Sequence, residues 1–212
     1  MNHNTDTKAK VGLKLNVNYQ LKDKNGRVKR LWANNALGMF LLKTIRKYVR
    51  PYTKDGVLKS GFLPKLALSG IQIPLLTGFW VGDLNISNLV TTAGKAGVAS
   101  RINGSGSEDP FIYIAVGTGT TAANVADTTL ETETSTSGLG RASATASRVT
   151  TDTANDTAQL VHSFSVSGSV AVTESGVLNA ASNGVLLARQ VFSAINVVNG
   201  DTLQITWKFD VD

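Results

Sequence analysis

The sequence predicts a mainly β protein: an antiparallel β-sandwich or jelly-roll-like body with a basic N-terminal hairpin and one short α-helix. Several short segments alternate apolar and polar residues at intervals of about 8–12 residues, with turn residues between them. Gly, Ser and Thr are abundant, whereas the chain has only four Pro among its 212 residues. Both observations favour many short strands joined by tight turns.

The N-terminal part of the chain predicts a hairpin followed by a helix. Apolar residues alternate over residues 14–21, which is the pattern of a half-buried strand. Residues 23–26 contain Asn-Gly, a strong hairpin-turn signal, and the return strand is expected over about 27–32. Asn34 or Asn35 can then cap a helix that extends to about Arg50, where Pro51 ends it.

The middle of the chain is less regular. Residues 52–65 show no clear periodicity, and the apolar stretch 66–80 is interrupted by glycine and proline, so we expect short strands or a docking loop there. Alternation returns over residues 83–90. Residues 91–102 predict a short helix, although two glycines lower its intrinsic propensity.

The second half of the chain predicts the β body. Strands are expected over residues 111–116, 142–151, 158–167, 170–174, 176–179, 185–192 and 202–211. A long Thr- and Ala-rich segment with acidic residues connects the first two of these strands. The residues assigned to the core are Leu160, Phe164, Ile205, Trp207 and Phe209. Arg189 and Glu174 are both flanked by apolar strand residues, which predicts a buried or interfacial ion pair.

Charge divides the chain. Seventeen of the 21 Lys and Arg residues precede residue 102, against four of the 15 acidic residues, so the first 101 residues carry about +13 and the remainder about −7. This asymmetry predicts an interaction segment joined to a different body. We therefore divide the chain into a basic N-terminal anchor segment, residues 1–65, and a β-sandwich body, residues 66–212.

Composition excludes several classes of function. The chain has no cysteine, which rules out disulfides and cysteine-based nucleophiles or metal sites. Its N-terminus is polar and lacks the apolar run of a secretory signal. No stretch approaches about 18 consecutive apolar residues, so we expect no membrane-spanning helix and no membrane partner.

The sequence predicts no catalytic, cofactor-binding or metal-binding residues. The glycine-rich segment 117–121 lacks the remaining residues of a phosphate-binding loop, which favours a strand leaving through a glycine turn. Ser105 does not lie in a nucleophile motif, and the two histidines offer little as a base. His3 lies in a polar tail, and His162 lies on the apolar face of a strand.

Two groups of residues with side-chain oxygens are candidates for chemical sites. Asp152, Asn155 and Asp156 could offer oxygens to Ca²⁺, but their spacing favours a hairpin tip. A second group could supply a glycosidase carboxylate pair, although a solvated acidic loop is the favoured interpretation. Its members are Asp127, Glu131 and Glu133.

An ordered set of segments runs from about Asn88 to the C-terminus: LVTTAG at 89–94, FIYIAVGTGT at 111–120, DTTLETE at 127–133, Arg141, VTESGVL at 172–178, LLARQVF at 186–192 and GDTLQITW at 200–207. This set resembles a module of tailed-bacteriophage virion proteins, found among fibre, tail and accessory capsid proteins. The resemblance implies a β-sandwich structural protein, usually oligomeric, and it implies no catalytic residue. The basic N-terminal segment lies outside it.

The resemblance and the absence of a reactive motif together predict a non-enzymatic virion structural protein. We expect an accessory capsid protein of the decoration or cement type, assembled in the host bacterial cytoplasm. Its partners would be further copies of itself, commonly as a homotrimer, and the major capsid protein or other virion proteins. A tail fibre, adaptor or neck component is the first alternative. A nucleic-acid-binding protein and a carbohydrate-active or host-glycan-binding protein are the others.

The basic segment carries the predicted partner site. Between residues 8 and 65 there are 15 basic and two acidic residues, interleaved with aromatic ones. Such a segment could dock on an acidic protein surface, or neutralise phosphates and stack bases, although no recognised nucleic-acid motif is present. The candidate partner-binding residues are Arg27, Lys29, Arg30, Trp32, Lys43, Arg46, Lys47 and Arg50.

Overall fold

The structure is a computed structural model that describes residues 13–34, 53–54, 57–58, 78–87 and 89–211. In chain order its strands are β1 (Leu13–Lys22), β2 (Val28–Lys29), β3 (Leu31–Asn34), β4 (Thr53–Lys54), β5 (Val57–Leu58), β6 (Gly78–Val81), β7 (Asp83–Ser87), β8 (Leu89–Val90), β9 (Tyr113–Gly117), β10 (Ala142–Ser143), β11 (Thr145–Val149), β12 (Thr157–Ser165), β13 (Val170–Leu178), β14 (Leu186–Val197) and β15 (Thr202–Val211). The helix α1 (Thr92–Asn103) lies between β8 and β9. The predicted helix ending near Arg50 lies outside the described residues, as does most of the 52–77 stretch.

Two antiparallel sheets confirm the predicted β-sandwich class. The first has the order β11-β12-β15-β1-β2, with β7 also paired to β1, and the second has the order β10-β9-β13-β14-β8. Two further strand pairs, β3 with β6 and β4 with β5, are separate from both. Each large sheet turns one face toward the common core, as expected for a sandwich.

Strand β1 is a central strand of the first sheet. It pairs with β15 along its whole length, from Leu13 opposite Val211 to Lys22 opposite Thr202. Its other edge pairs with β7 and β2. Residues 13–22 therefore belong to the sandwich, and the division into an anchor segment 1–65 and a body 66–212 is wrong for this strand.

The predicted hairpin is confirmed at its turn. Gly26 has φ +76, a left-handed backbone conformation that glycine adopts readily. This is the role expected of the glycine in an Asn-Gly hairpin turn. The return strand differs from the prediction because it divides in two. Strand β2 pairs with the end of β1, whereas β3 leaves the first sheet and pairs with β6.

Two strands of the second sheet are longer in the structure than the sequence predicted. Val170–Leu178 is one strand with a register shift between Val172 and Glu174, where two strands were predicted. Leu186–Val197 extends well beyond the predicted end at Phe192. The register shift lies before Glu174, whereas the predicted break fell at Ser175, which pairs regularly with Gln190.

The core lies between the two sheets. All five residues assigned to it from the sequence are buried, and Trp207 and Ile205 are fully so. From the facing sheet come Ile114, Val116 and Ile195, with their side chains likewise buried. Burying an aliphatic or aromatic side chain of this size stabilises the fold by about 1.5–3 kcal/mol.

Helix α1 forms despite its two glycines, and both glycines have a packing role. A Cβ at Gly94 would lie 2.3 Å from the Leu187 carbonyl oxygen, and one at Gly97 would lie 2.6 Å from the Phe111 ring. Gly94 therefore allows the helix to approach β14 closely and Gly97 allows it to approach Phe111, at the cost of helix propensity. Thr91 caps the helix by accepting a hydrogen bond from the Gly94 amide at 2.8 Å.

The long connection between β9 and β10 covers the outer face of the second sheet. A small second core forms there from Leu130 of the connection and from residues of the second sheet; its members are Ala115, Leu130, Leu178 and Leu186. The connection is also bridged to the end of β9, where Gly117 pairs with Glu133. This arrangement places the acidic residues of the connection above β13 and β14.

Candidate functional site

The described part of the predicted partner site is the turn between β1 and β2. The Asp23 carboxylate accepts hydrogen bonds from the amides of Asn25 at 2.8 Å and Arg27 at 2.9 Å. The hydrogen bond from the Arg27 amide is the main reason why the pKa of Asp23 is lowered. The turn is thus held by its own carboxylate, and the Arg27 and Arg30 side chains are exposed beside it.

Lys29 and Trp32 lie in different surroundings from those arginines. Lys29 Nζ forms an ion pair with Asp201 Oδ2 at 2.8 Å, and the Asp201 side chain is 3% exposed. Asp201 also accepts from the Val198 amide at 2.9 Å, so the pair fastens β2 to the turn before β15. Trp32 is 6% exposed and offers little surface to a partner.

The structure therefore brings together only part of the predicted set. Arg27, Lys29 and Arg30 lie at one end of the first sheet, and the exposed Val28 lies among them. The helical group, Lys43, Arg46, Lys47 and Arg50, lies outside the described residues. We name the first group, with Lys24, the basic turn.

A second cluster centres on the predicted pair of Glu174 and Arg189, which is confirmed. Arg189 Nε lies 2.8 Å from Glu174 Oε2, and their side chains are 3% and 0% exposed. Glu174 enters from β13 and Arg189 from β14, on adjacent strands. A buried charge pair of this kind requires further hydrogen bonds to offset desolvation.

Backbone amides supply those hydrogen bonds to Glu174. Its Oε1 accepts from Gly119 at 3.0 Å and Thr132 at 2.7 Å, and its Oε2 accepts from Glu131 at 3.1 Å. A Cβ at Gly117 or Gly119 would lie within about 2.6 Å of Glu174 Oε1, so glycine is required at both positions. The glycine-rich segment thus binds an anion, and that anion is the chain's own carboxylate.

Arg189 binds the acidic connection from the other side. It contacts Asp127 Oδ2 at 2.8 Å, the Thr121 carbonyl at 3.1 Å and Glu131 Oε2 at 3.4 Å. Glu131 also accepts from the Thr121 hydroxyl at 2.7 Å, and this hydrogen bond is the main cause of its lowered pKa. The predicted exposure of this acidic loop is borne out at Glu131 and Glu133, but Asp127 and Glu131 are in addition bound by Arg189.

Arg141 holds the third acidic residue of the connection. Its guanidinium makes two contacts with the Glu133 carboxylate, at 2.9 and 2.6 Å. It also donates to the carbonyls of Ala180 and Asn183 at 3.0 and 2.7 Å. Arg141 thus ties the end of the connection to the turn between β13 and β14, a role that sequence periodicity gave no means of predicting.

The remaining chemical candidates have local structural roles. Asp156 accepts from the amides of Thr151, Asp152 and Thr153, of which the last is the largest cause of its strongly lowered pKa. The Asx-rich hairpin tip is therefore confirmed. His162 Nδ1 lies 3.1 Å from the Ser143 carbonyl. Within the described ranges, no three His, Cys, Asp or Glu side chains converge as metal ligands would.

The outer face of the first sheet contains a polar concavity that sequence analysis did not single out. Its volume is about 610 Å³, and those of its lining residues that the structure describes come from the three adjacent strands β1, β12 and β15. They are Asn16, Asn18, Gln159, Thr206 and Lys208. The alternation of β15 already placed Thr206 and Lys208 on the face opposite the core, but their neighbours depend on strand register.

The fold and these clusters define an antiparallel two-sheet β-sandwich with a loop bound to its outer face through buried charges. Comparisons with protein-family models, with curated proteins and with solved structures give no match. In the described part of the chain, no helix has both the length and the apolar character needed to cross a bilayer.

Proposed function

We propose that the protein is a non-enzymatic structural component of a bacteriophage virion, an accessory capsid protein of the decoration or cement type. The class rests on the resemblance of residues 88–212 to virion proteins. One structural observation supports it: segments that carry the resemblance meet in space around Glu174. Their contributions are the cradle glycines Gly117 and Gly119, the acidic 127–133 segment and Arg189.

The role of this cluster favours a building block. Glu174, Asp127 and Glu131 all bind Arg189, and Glu174 also binds three backbone amides. The contacts of Arg189 with Asp127 and Glu131, and those of Glu174 with the amides, fix the long connection onto the second sheet. The shared motif is then a device for attaching a loop to a sandwich, which suits a protein whose function is to present rigid surfaces to neighbours.

The basic turn supports docking on an acidic protein surface. Lys24, Arg27 and Arg30 are exposed, and the Asp23 hydrogen bonds preorganise the loop that presents them. Val28, 48% exposed, adds an apolar contact at the centre of this surface. Preorganised charges around an apolar contact reduce the entropy lost on binding and direct the approach of an oppositely charged partner. We assign this surface to the capsid, with self-association as a homotrimer through other surfaces.

Point variants test this assignment better than truncation. Deleting residues 1–65 would remove β1 from the middle of the first sheet, so loss of binding would only report unfolding. Arg27→Gln combined with Arg30→Gln removes two charges from an exposed turn. A matched control, Lys95→Gln with Arg148→Gln, removes two exposed charges from α1 and β11.

The assay is co-sedimentation with purified particles of the virus that encodes the chain, assembled without it. We expect the basic-turn variant to raise the Kd about tenfold, since two interfacial charges contribute about 1 kcal/mol or somewhat more, and the control to leave it unchanged. Unchanged binding of the basic-turn variant refutes docking through this surface. Retention on DNA that falls steeply with salt, and is lost in the same variant, would favour nucleic acid as the partner instead. Labelled electron microscopy distinguishes the capsid surface from a tail, adaptor or neck position.

A further inference from the structure

The chain contains four Asn-Gly pairs, and all four lie in exposed, left-handed turns. They are Asn25-Gly26, Asn103-Gly104, Asn183-Gly184 and Asn199-Gly200. In each pair both residues are exposed and the glycine has a positive φ. An asparagine side chain reacts with the next backbone nitrogen most readily when the next residue is glycine, because glycine has no Cβ to hinder the approach. Sequence and exposure therefore do not distinguish the four pairs, whereas their hydrogen bonds do.

Three of the pairs are restrained by hydrogen bonds within their own turns. Gly26 donates its amide to the Asp23 carbonyl at 2.9 Å, and Gly200 donates to the Val166 carbonyl at 2.9 Å. A nitrogen whose proton is held in this way must lose a hydrogen bond before it can act as a nucleophile. The third pair is held through its side chain, because Asn103 Oδ1 accepts from the amide two residues further on at 2.9 Å.

The Asn183-Gly184 pair lies in the turn between β13 and β14 and is held differently. Among the described residues, none accepts a hydrogen bond from the Gly184 amide, and none forms one with the Asn183 side chain. A neighbouring side-chain oxygen, Asn179 Oδ1, accepts from the Val185 amide at 2.7 Å instead. Asn183 and Gly184 are both left-handed, with φ 54 and 79. Within the described part of the chain, neither the attacking nitrogen nor its target is restrained by a hydrogen bond.

The carbonyl of the same peptide unit is bound by a cation. Arg141 Nη1 donates to the Asn183 carbonyl oxygen at 2.7 Å and to the Ala180 carbonyl at 3.0 Å. Glu133 binds the other edge of the guanidinium, and the Arg141 side chain is 9% exposed, so this donor is fixed in place. When a peptide N–H loses its proton, the negative charge is shared with the carbonyl oxygen of that peptide unit. A preorganised donor at this oxygen therefore makes the Gly184 nitrogen easier to deprotonate.

We propose that Asn183 is a site of self-modification, in which the Gly184 nitrogen closes a ring on the asparagine side chain and Arg141 activates that nitrogen. A bond forms between the Gly184 nitrogen and Asn183 Cγ, the Cγ–Nδ2 bond breaks, and Nδ2 leaves as ammonia with the proton of the Gly184 amide. Water then adds to either carbonyl of the succinimide ring and opens it to aspartate or isoaspartate. The product places a carboxylate in the turn that Arg141 ties to Glu133. This reaction does not depend on the assignment to a virion.

The test is to incubate the folded, full-length chain and to follow each Asn-Gly pair by peptide mass spectrometry, which detects the mass gained on conversion. We expect Asn183 to convert at least about fivefold faster than Asn25 and Asn199, because their glycine amides must first lose a hydrogen bond. The chain unfolded in urea is the reference, in which the three sites should convert at similar rates. Conversion of Asn183 no faster than the other two in the folded chain overturns the proposal. The same ranking of the three sites in the unfolded chain overturns it as well.

Variants test the activating role of Arg141. Arg141→Gln removes the cation at the Asn183 carbonyl and should slow conversion there about tenfold or more, as removal of a donor to a developing negative charge does. Arg148→Gln, which removes an exposed arginine from β11, is the matched control and should leave the rate unchanged. The rates at Asn25 and Asn199 report whether the variant stays folded, because unfolding would release their glycine amides. An unchanged or faster rate at Asn183, with those two rates unchanged, overturns the role of Arg141.

A second variant separates the charge of Arg141 from its contribution to the fold. Arg141→Lys keeps a cation near the Asn183 carbonyl but loses the planar fork that binds Glu133. It should therefore slow conversion less than Arg141→Gln does. Equal slowing by the two substitutions would assign the effect to the packing of the turn and overturn the activating role.

Discussion

Replacing Glu174 with Gln tests how the outer loop is held to the sandwich. The substitution keeps the size and shape of the side chain but removes its charge and exchanges one acceptor oxygen for a donor. Four donors converge on the two carboxylate oxygens: the amides of Gly119, Glu131 and Thr132, and Arg189 Nε. In either orientation of the new amide, two of these donors face an NH₂ group.

The size of the effect follows from the contacts. If the NH₂ group takes the place of Oε2, the Arg189 hydrogen bond and the Glu131 amide hydrogen bond are both lost. A hydrogen bond to a charged group contributes about 1.5–3 kcal/mol, and a buried donor left without an acceptor costs about 1–3 kcal/mol. We therefore expect the free energy of unfolding to fall by about 3–5 kcal/mol, the range found when one partner of a buried ion pair is removed.

Urea denaturation measures the change, with the m-value as a check that unfolding stays two-state. The matched control is Glu133→Gln, which breaks the ion pair with Arg141. The Glu133 side chain is 29% exposed, and Arg141 keeps two carbonyl acceptors. A partly exposed pair of this kind should cost about 1 kcal/mol or less.

Two results would refute the reasoning. One is a loss below about 1 kcal/mol for Glu174→Gln at unchanged m-value, which would mean that the amides and Arg189 find other acceptors. The other is strict additivity of Glu174→Gln and Arg189→Gln, since residues in one hydrogen-bonded network normally couple by about 0.5–3 kcal/mol.

Three further predictions concern the helix and the hairpin tip. Gly94→Ala should destabilise the protein in thermal unfolding although alanine favours helices by about 1 kcal/mol, because the new Cβ would meet the Leu187 carbonyl; a stabilised variant would contradict the close packing. Thr91→Ala should cost about 1–2 kcal/mol, whereas Thr91→Ser should restore most of it by keeping the capping oxygen; equal losses would exclude the cap. The lowered pKa of Asp156 means that its carboxylate stabilises the fold above its unfolded pKa of about 3.9, and that this contribution is lost as the pH falls toward the folded pKa. The stability difference between wild type and Asp156→Asn should therefore shrink on acidification below about pH 4, and a constant difference would show that the carboxylate charge is irrelevant.

The local sequence pattern predicted most of the strands, because a strand with one buried face must have an apolar residue at every second position. The last strand shows this directly: Leu203, Ile205, Trp207 and Phe209 are buried as expected. The sequence pattern gave weaker evidence for helix α1 than for the strands, because at the level of sequence a glycine only lowers helix propensity. Glycine is needed at position 94 because the Leu187 backbone lies close to it, and no local sequence pattern contains that distance.

The contacts of the candidate sites likewise divide into those that the sequence predicted and those that it did not. The Glu174 and Arg189 pair was predictable because a charged residue within an apolar strand needs a buried partner. The contacts of Asp127 and Glu131 with Arg189 were not, since they join residues more than fifty positions apart. The burial of Trp32 and the ion pair of Lys29 with Asp201 were likewise not predictable from composition, which had suggested both residues for the partner-binding set.

The β class, the hairpin turn and the buried face of the predicted strands follow from the sequence alone, because they depend on neighbours within a few residues. Only the tertiary structure decided that β1 lies between β15 and β7, since any amphipathic strand can pair with another and the choice depends on packing of the whole core. That choice makes part of the basic half a piece of the sandwich. It also aligns Asn16, Lys208 and Gln159 in one row, from three strands that the sequence keeps far apart.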